Sequence, residues 1–339
     1  MTSRPIVRVV PCQPHCFAFG GFELQMIAAM ESARAAGADI APFDFWRREA
    51  DFDVLHLWGL DKQHSSTVKW AHAGGKKIVM TALVNYLGWR SWLRYPASLA
   101  VGQARLHRQI LATIDVIIVV NRVQARYLIG AARVPAEKVM VVPNQIDDVF
   151  FETGPGPEPG VFGIENYVLC VGNIRRLKNQ LTLIGACRKL GVPLLLVGNV
   201  LTGEEDYGRA VAEAVAAGKD MRWIPWLTPG SVELASAYRG AAVFALLSHL
   251  ENQPISALEA AASRKPLVLA DRPYARQEFY ERAARADPNS VDAIARAIRK
   301  ALDNPDAHCP PPLVIEHCRK EEVGAAYMSI YQRLVEGAA

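Results

Sequence analysis

Residues 242–247 read Ala-Val-Phe-Ala-Leu-Leu, and after a seven-residue interval the chain runs from Ile255 to Ser263 in a stretch rich in Ala, with Leu258 and Glu259 inside it. An apolar run this short, with no polar alternation, fits a strand covered on both faces, and such strands belong to parallel sheets flanked by helices. The Ala-rich stretch has helical propensity. The interval between, Ser248 to Pro254, is then a loop at the carboxyl end of a parallel strand, where open α/β sheets hold their ligands. It carries Glu251, and Glu259 follows eight residues later. Eight residues is slightly more than two helical turns, so a helix with its entry turn would direct both carboxylates into one crevice.

The same alternation recurs along the 339 residues. Strands are expected at 6–10, 53–58, 77–81, 114–120 and 139–142, then at 167–171, 193–197, 221–226 and 267–270. Helices are expected at 22–36, 180–190, 291–302 and 321–334. Alternating strand and helix implies right-handed crossovers and parallel sheets. A chain of this length outgrows one core and should form two domains of about 150 residues. The run Gly154-Pro-Gly-Pro-Glu-Pro-Gly160 has no hydrophobic period and reads as a surface linker. The domains are therefore expected at 1–150 and 151–319.

Half the residues are apolar and about a fifth charged, which excludes a largely disordered chain. No apolar run reaches membrane-spanning length and the first residues lack a basic-then-apolar leader pattern, so a cytoplasmic protein is expected. Residues 1–150 hold 17 Lys and Arg against 12 Asp and Glu, while the remainder holds 21 against 22. That bias is too mild for a nucleic-acid binder and better suits an anionic acceptor or peripheral contact with the inner face of a membrane. The segment 87–108, with Trp89, Arg90, Trp92, Arg94, Tyr95, Arg105, His107 and Arg108, fits such a surface or an ordinary amphipathic helix equally. Six scattered cysteines argue for reduced thiols, and the three His-Cys pairs have no metal-ligand spacing.

Two loops have the chemistry to receive anions. Gly20 and Gly21 stand at the start of a helix, where free amides and the helix dipole favour negative charge. Gly172-Asn173-Ile174-Arg175-Arg176-Leu177-Lys178 follows a strand with three cations, and Arg forks and Lys point charges both suit phosphate oxygens. No dinucleotide fingerprint of the Gly-x-Gly-x-x-Gly type occurs. His56 reads as a satisfied histidine at a strand end in preference to a catalytic base.

Ser248, Glu251, Leu258, Glu259 and Ala260 resemble, residue by residue, the Glu-x7-Glu signature of retaining GT-B glycosyltransferases of family 4. Gly20-Gly21-Phe22-Glu23 is similar to that family's Gly-Gly-x-Glu loop. Pro143-Asn144-Gln145-Ile146-Asp147 is similar to its Pro-Asn-Gly-Ile-Asp segment, and Gly172 to Lys178 to its diphosphate loop, with Lys178 in the lysine position. The resemblance implies an α/β fold of two doubly wound Rossmann-like domains facing across a cleft, with a last helix at about 320–339 crossing back onto the first domain. It implies hexosyl transfer, with retention and without a metal or cofactor, from a nucleoside-diphosphate sugar to a glycan, glycolipid or natural-product hydroxyl. Lys178 with Arg175 or Arg176 would neutralise the leaving diphosphate, and Glu251 would act on the sugar. Glu259 would bind the ribose, and the amides of Gly172, Asn173, Ile255 and Ser256, with Gly20 and Gly21, would line the donor. Residues 223–227 would meet the base.

The sequence departs from the pattern in four places. Asn252-Gln253-Pro254 replaces Gly-Phe-Gly, and proline removes one backbone donor. Asn173 stands where the loop arginine should be, leaving the task open between Arg175 and Arg176. Gln145 replaces a glycine. Leu83 follows Thr81-Ala82 where the family has a histidine, with Asn85 a nearby substitute. A sugar-nucleotide epimerase of the same fold and a non-catalytic nucleotide-sugar-binding protein remain as rivals. The nucleotide, sugar, acceptor, linkage and oligomeric state are not legible.

Overall fold

The computed structural model describes residues 4–16, 20–59, 61, 63–82, 109–152, 154 and 161–337. The chain divides into two compact units, Met1–Gln145 with His317–Ala339, and Ile146–Glu316. Among the described residues no helix is long and apolar enough to cross a membrane.

The first unit is built on β1 (Ile6–Pro11), β2 (Asp39–Pro42), β3 (Val54–Trp58), β4 (Lys77–Thr81), β5 (Val116–Val119) and β6 (Val139–Val141). They form one parallel sheet in the order β2-β1-β3-β4-β5-β6, so the strand order reverses between β1 and β3. Along β3 every residue is buried. Leu55 and Leu57 enter one core with Ile78, Met80 and Ile117, while Val54 and Trp58 enter the other with Val7, Val9 and Val79. Burial on both faces is why these strands read as continuous apolar runs. Around the sheet lie α1 (Gly21–Ala35), α2 (His64–Ala73) and α3 (Arg122–Gly130), the last capped by Asn121, whose side chain accepts from the Gln124 amide.

The second unit holds β7 (Val168–Val171), β8 (Leu194–Val197), β9 (Met221–Ile224), β10 (Val243–Leu246), β11 (Leu267–Ala270) and β12 (Ala284–Ala286). Its parallel order is β12-β11-β10-β7-β8-β9, with the reversal between β7 and β10. Its helices are α4 (Gln180–Leu190), α5 (Glu205–Ala216), α6 (Val232–Gly240), α7 (Ile255–Ala262), α8 (Val291–Asp303), α9 (Pro305–His308) and α10 (Pro312–Glu316). The final helix, α11 (Lys320–Glu336), returns to the first unit and packs on α1.

Buried hydrogen bonds and one close helix approach fix α1 and α11 in the first unit. Gln145 donates its amide N–H to Gln25 Oε1 at 3.0 Å, Gln25 Nε2 donates to Gln145 O at 3.3 Å, and Ser32 Oγ bonds Gln145 Oε1. The glutamine that replaces a glycine here is thus a buried clamp on α1. His56, in the middle of β3, meets the Tyr331 hydroxyl of α11 at 2.8 Å through Nδ1 and Thr81 Oγ1 of β4 at 2.9 Å through Nε2. Burial pushes its imidazole down to about 3, so it is neutral and structural. At Gly324 the two helices come so close that an added Cβ would lie 2.5 Å from the Ser32 carbonyl oxygen.

Gly324→Ala gains helix propensity worth about 1 kcal/mol but forces α1 and α11 apart, an overpacking cost of about 1–3 kcal/mol. A net loss is expected, read as a lower midpoint in thermal melts. An unchanged or raised midpoint would mean that α11 does not seat on α1 at this residue.

Candidate functional site

The point where strand order reverses is where two neighbouring βα loops diverge and open a crevice. In the second unit those are the loops after β7 and β10, and the structure ties them together. His249 donates its amide to Leu177 O at 2.9 Å, and Asn179 Nδ2 donates to Leu247 O at 3.4 Å and to Pro288 O at 2.7 Å. Across this junction Lys178 Nζ, at the end of the 3₁₀ turn Arg176–Lys178, meets Glu251 Oε1 at 2.6 Å. The side chains are only 18% and 14% exposed, so this is a shielded pair whose charges answer each other and not the solvent. Beneath it the buried Cys170 thiol of β7 is pushed up to about 12 by burial; Lys178 opposes that shift and Glu251 adds to it.

The β7 loop is held open by glycine. Gly172 has φ of 149°, and the Lys178 stem runs beside it, with Cε 3.6 Å from where a Cβ would stand. Gly198, after β8, has φ of 145°, and a Cβ there would lie 2.2 Å from the Gly172 carbonyl oxygen. The loop also bridges to the chain after β8, with Ile174 donating to Asn199 O at 2.7 Å and Leu201 donating to Ile174 O at 3.1 Å. Asn173 is exposed, and its carbonyl accepts from Gln180 Nε2 at 3.0 Å.

The two arginines go separate ways. Arg176 lies over the Tyr207 ring, 5.6 Å from its centroid, with Nε 3.8 Å from Glu204 Oε2 and its side chain 70% exposed. Arg175 is half-buried, and its Nε is shut off from solvent without a hydrogen-bond partner. Gln180 Oε1, Ser248 Oγ and Gln277 Oε1 are orphaned in the same way. These four atoms belong to the β7 loop, the start of α4, the β10 loop and the segment after β11. Buried polar atoms normally find partners, so their shared orphaning at these strand ends marks where a polar ligand or ordered water would be satisfied.

Glu259 and Glu251 have different partners. Residues 248–254 are not helical and α7 starts at Ile255 after Pro254, as the sequence indicates, so the eight residues between the two carboxylates span a loop and one helical turn. Glu259 sits mid-helix among buried Ala257, Leu258, Ala260, Ala261 and Ala262, and accepts at Oε2 from the Tyr238 hydroxyl of α6 at 2.6 Å. Burial pushes it up to about 7, the Tyr238 hydrogen bond opposes that, and Asp147 adds to it. Tyr238 itself, which the sequence reading did not single out, is held far above the usual phenol range by burial, then by Glu259. At the helix start, Ala257 and Leu258 donate to Pro254 O at 3.1 and 3.2 Å, leaving the amides of Ile255 and Ser256 as the open donors of the first turn.

Gly20 and Gly21 lie in the first unit, where Gly20 caps α1. Glu23 already occupies that end, accepting from the Gly20 amide at 2.9 Å and from Gln13 Nε2 at 2.7 Å. The anion expected there is, on the Gly20 amide, this carboxylate. Within 223–227, Trp223 Nε1 donates to Gly198 O at 2.8 Å and Trp226 is 58% exposed. The segment 87–108, Leu83 and Asn85 fall outside the described residues. Among the described residues no group of three or more His, Cys, Asp or Glu is arranged to hold a metal.

Two family descriptions match this chain. "Glycosyl transferases group 1" covers residues 158–310, which includes Lys178, Glu251 and Glu259, and "Glycosyltransferase Family 4" covers residues 25–150. The chain belongs to the family 4 type of GT-B glycosyltransferases. A D-inositol 3-phosphate glycosyltransferase from Segniliparus rotundus is 31% identical to this family member over 173 residues, which is 48% of this chain and 38% of that relative's length. Among solved structures, the Anabaena HepE protein in complex with UDP and glucose superposes with a TM-score of 0.69 at 14% identity, covering 97% of this chain and 99% of that one. A glycosyltransferase from Rickettsia africae gives 0.68 at 12% identity, covering 99% and 100%. Sucrose-phosphate synthase from Thermosynechococcus elongatus gives 0.65 at 17%, covering 99% and 98%. At these identities the likeness is one of fold: two Rossmann-like domains.

The collision at Gly198 separates from backbone strain by comparison with Gly203, whose φ is 86° with nothing within 4 Å of an added Cβ. Gly203→Ala should cost only the left-handed term, about 1–2 kcal/mol. Gly198→Ala should lower the melting midpoint further, because the Gly172 carbonyl must also move. Equal losses for the two variants would show that the loop yields without resistance.

Proposed function

We propose that this chain is a retaining hexosyltransferase that moves a sugar from a nucleoside diphosphate to an acceptor hydroxyl. The observation that carries the reading is the shielded Lys178–Glu251 pair at the strand-order reversal of the second unit. The bond between the anomeric carbon and the β-phosphate oxygen breaks, the acceptor oxygen bonds to that carbon, and the acceptor's proton leaves with the diphosphate. Negative charge grows on the diphosphate as positive charge grows on the sugar. A lysine paired with a carboxylate supplies one group for each, preorganised in a site of low polarity. In this scheme Lys178 and Arg175 take the charge that other enzymes give to a metal.

Arg175 is assigned to the diphosphate because its Nε lacks a partner, whereas Arg176 is engaged by Tyr207 and Glu204. The open amides of Ile255 and Ser256 suit the same anion. Glu259 is assigned to the ribose hydroxyls, and the acceptor, a glycan, glycolipid or natural product, to the first unit. UDP, which the HepE structure contains, is the first nucleotide to try.

The test is incubation with UDP-, GDP- and ADP-sugars without acceptor, then with candidate acceptors. Slow release of nucleoside diphosphate supports a transferase; interconversion of sugars would make the chain an epimerase, and binding without turnover a binding protein. Charge-assisted contacts contribute about 1.5–3 kcal/mol each, so Lys178→Ala and Arg175→Ala should each lower kcat at least tenfold, with Arg176→Ala within about threefold of the parent. Glu251→Gln should lower kcat and spare nucleotide affinity, since its contact strengthens only as charge develops. EDTA should leave turnover unchanged. Equal effects of the two arginines would overturn the assignment of Arg175.

A further inference from the structure

Tyr238 lies in α6, 21 residues before Glu259 in sequence, and no part of it is exposed. Its ring meets Phe150 edge-on at 5.5 Å and stacks on Phe244 of β10 at 5.8 Å, so the hydroxyl is aimed by aromatic packing on two sides. The hydroxyl donates to Glu259 Oε2 at 2.6 Å. No further hydrogen bond engages the Glu259 side chain among the described residues, so Oε1 is left over. A carboxylate can accept at both oxygens.

Resting on the assignment of Glu259 to the ribose, we propose that Tyr238 is a positioning residue for nucleotide binding: it fixes Oε2 so that Oε1 remains the acceptor for a ribose hydroxyl. The same hydrogen bond favours the ionised carboxylate, which accepts, over the acid, which does not. Groups acting on this carboxylate come from several elements. Tyr238 of α6 lowers its affinity for a proton; Asp147, ahead of the 3₁₀ turn Asp148–Phe150, raises it. The facing strands β10 and β11 carry only apolar residues, and α10 carries one carboxylate, Glu316. Cys170 of β7 acts on Tyr238, not directly on Glu259.

The sign follows. Nucleotide affinity should be full above the pH at which Glu259 ionises in the folded protein, near 7, and fall as pH drops through it. Tyr238→Phe keeps the ring and removes the donor, so the midpoint should move up by about one pH unit and affinity at pH 7 should drop several-fold, recovering near pH 9. Asp147→Asn should move the midpoint the other way.

The experiment is calorimetric titration with UDP, GDP and ADP from pH 5.5 to 9 on the full chain, its Tyr238→Phe and Asp147→Asn variants, and Glu259→Gln. The last variant reports the ligand's own titration. Opposite shifts in the two neighbouring variants support the proposal. Midpoints that coincide with the parent's in both neighbouring variants would overturn it while Glu259→Gln still weakens binding. If Glu259→Gln binds as the parent does at every pH, it is the assignment of Glu259 to the ribose that fails. Should Tyr238→Phe not fold, as judged by circular dichroism, the Asp147→Asn shift alone decides.

Discussion

Both sheets are covered on both faces, and that constraint places the chemistry. Strands such as β3, β8, β10 and β11 are buried throughout, so their sides offer no polar atom to a ligand. Polar groups can gather only where the strands end, and they gather most where two crossovers part. In the second unit that place falls between β7 and β10, and Lys178 and Glu251 leave those two strands within hydrogen-bond reach of each other. Gly198 belongs to the same logic, since the β7 loop can hold this course only if its neighbour has no side chain.

Two glutamates that look alike in the motif occupy different electrostatic settings. Glu251 faces an ammonium, and together they present no net charge to the crevice. Glu259 is buried in a helix of alanines, and that burial raises its proton affinity, while the hydrogen bond from the Tyr238 phenol offsets only part of the rise. One carboxylate can answer charge that develops during a reaction; the other is suited to uncharged hydroxyls. The eight-residue spacing says nothing of this difference, because it is made by residues from other elements.

The central strands were legible because double burial leaves an apolar run of fixed length, and their expected bounds fall within two residues of the observed ones at either end. The edge strands β2 and β12 were not: at four and three residues they are too short to show a period, β2 opens on Asp39, and Arg285 interrupts β12. The crevice loop and Lys178 could be read from composition. The different surroundings of Arg175 and Arg176 could not, since those of Arg176 are set by Tyr207 of α5 and by Glu204 just ahead of that helix. The start of α7 at Ile255 was legible from the Ala-rich stretch after Pro254, but the partners of Glu251 and Glu259, Lys178 and Tyr238, come from other elements and were not. Tyr238 was invisible because its partner is remote in sequence and a buried tyrosine in a helix ordinarily reads as core.

His56 has a consequence for proton uptake. Folded, it resists a proton until about pH 3, because β3, β4 and α11 enclose it; unfolded, residue 56 accepts one near 6.5. Its contribution to stability is therefore complete above about pH 6.5 and drains away as the medium acidifies toward 3, at about 1.4 kcal/mol per pH unit. The drain falls on the joint between the middle of the first sheet and the last helix of the chain. Acid would thus loosen the C-terminal segment from the first unit through a residue that takes no part in the chemistry proposed for the second.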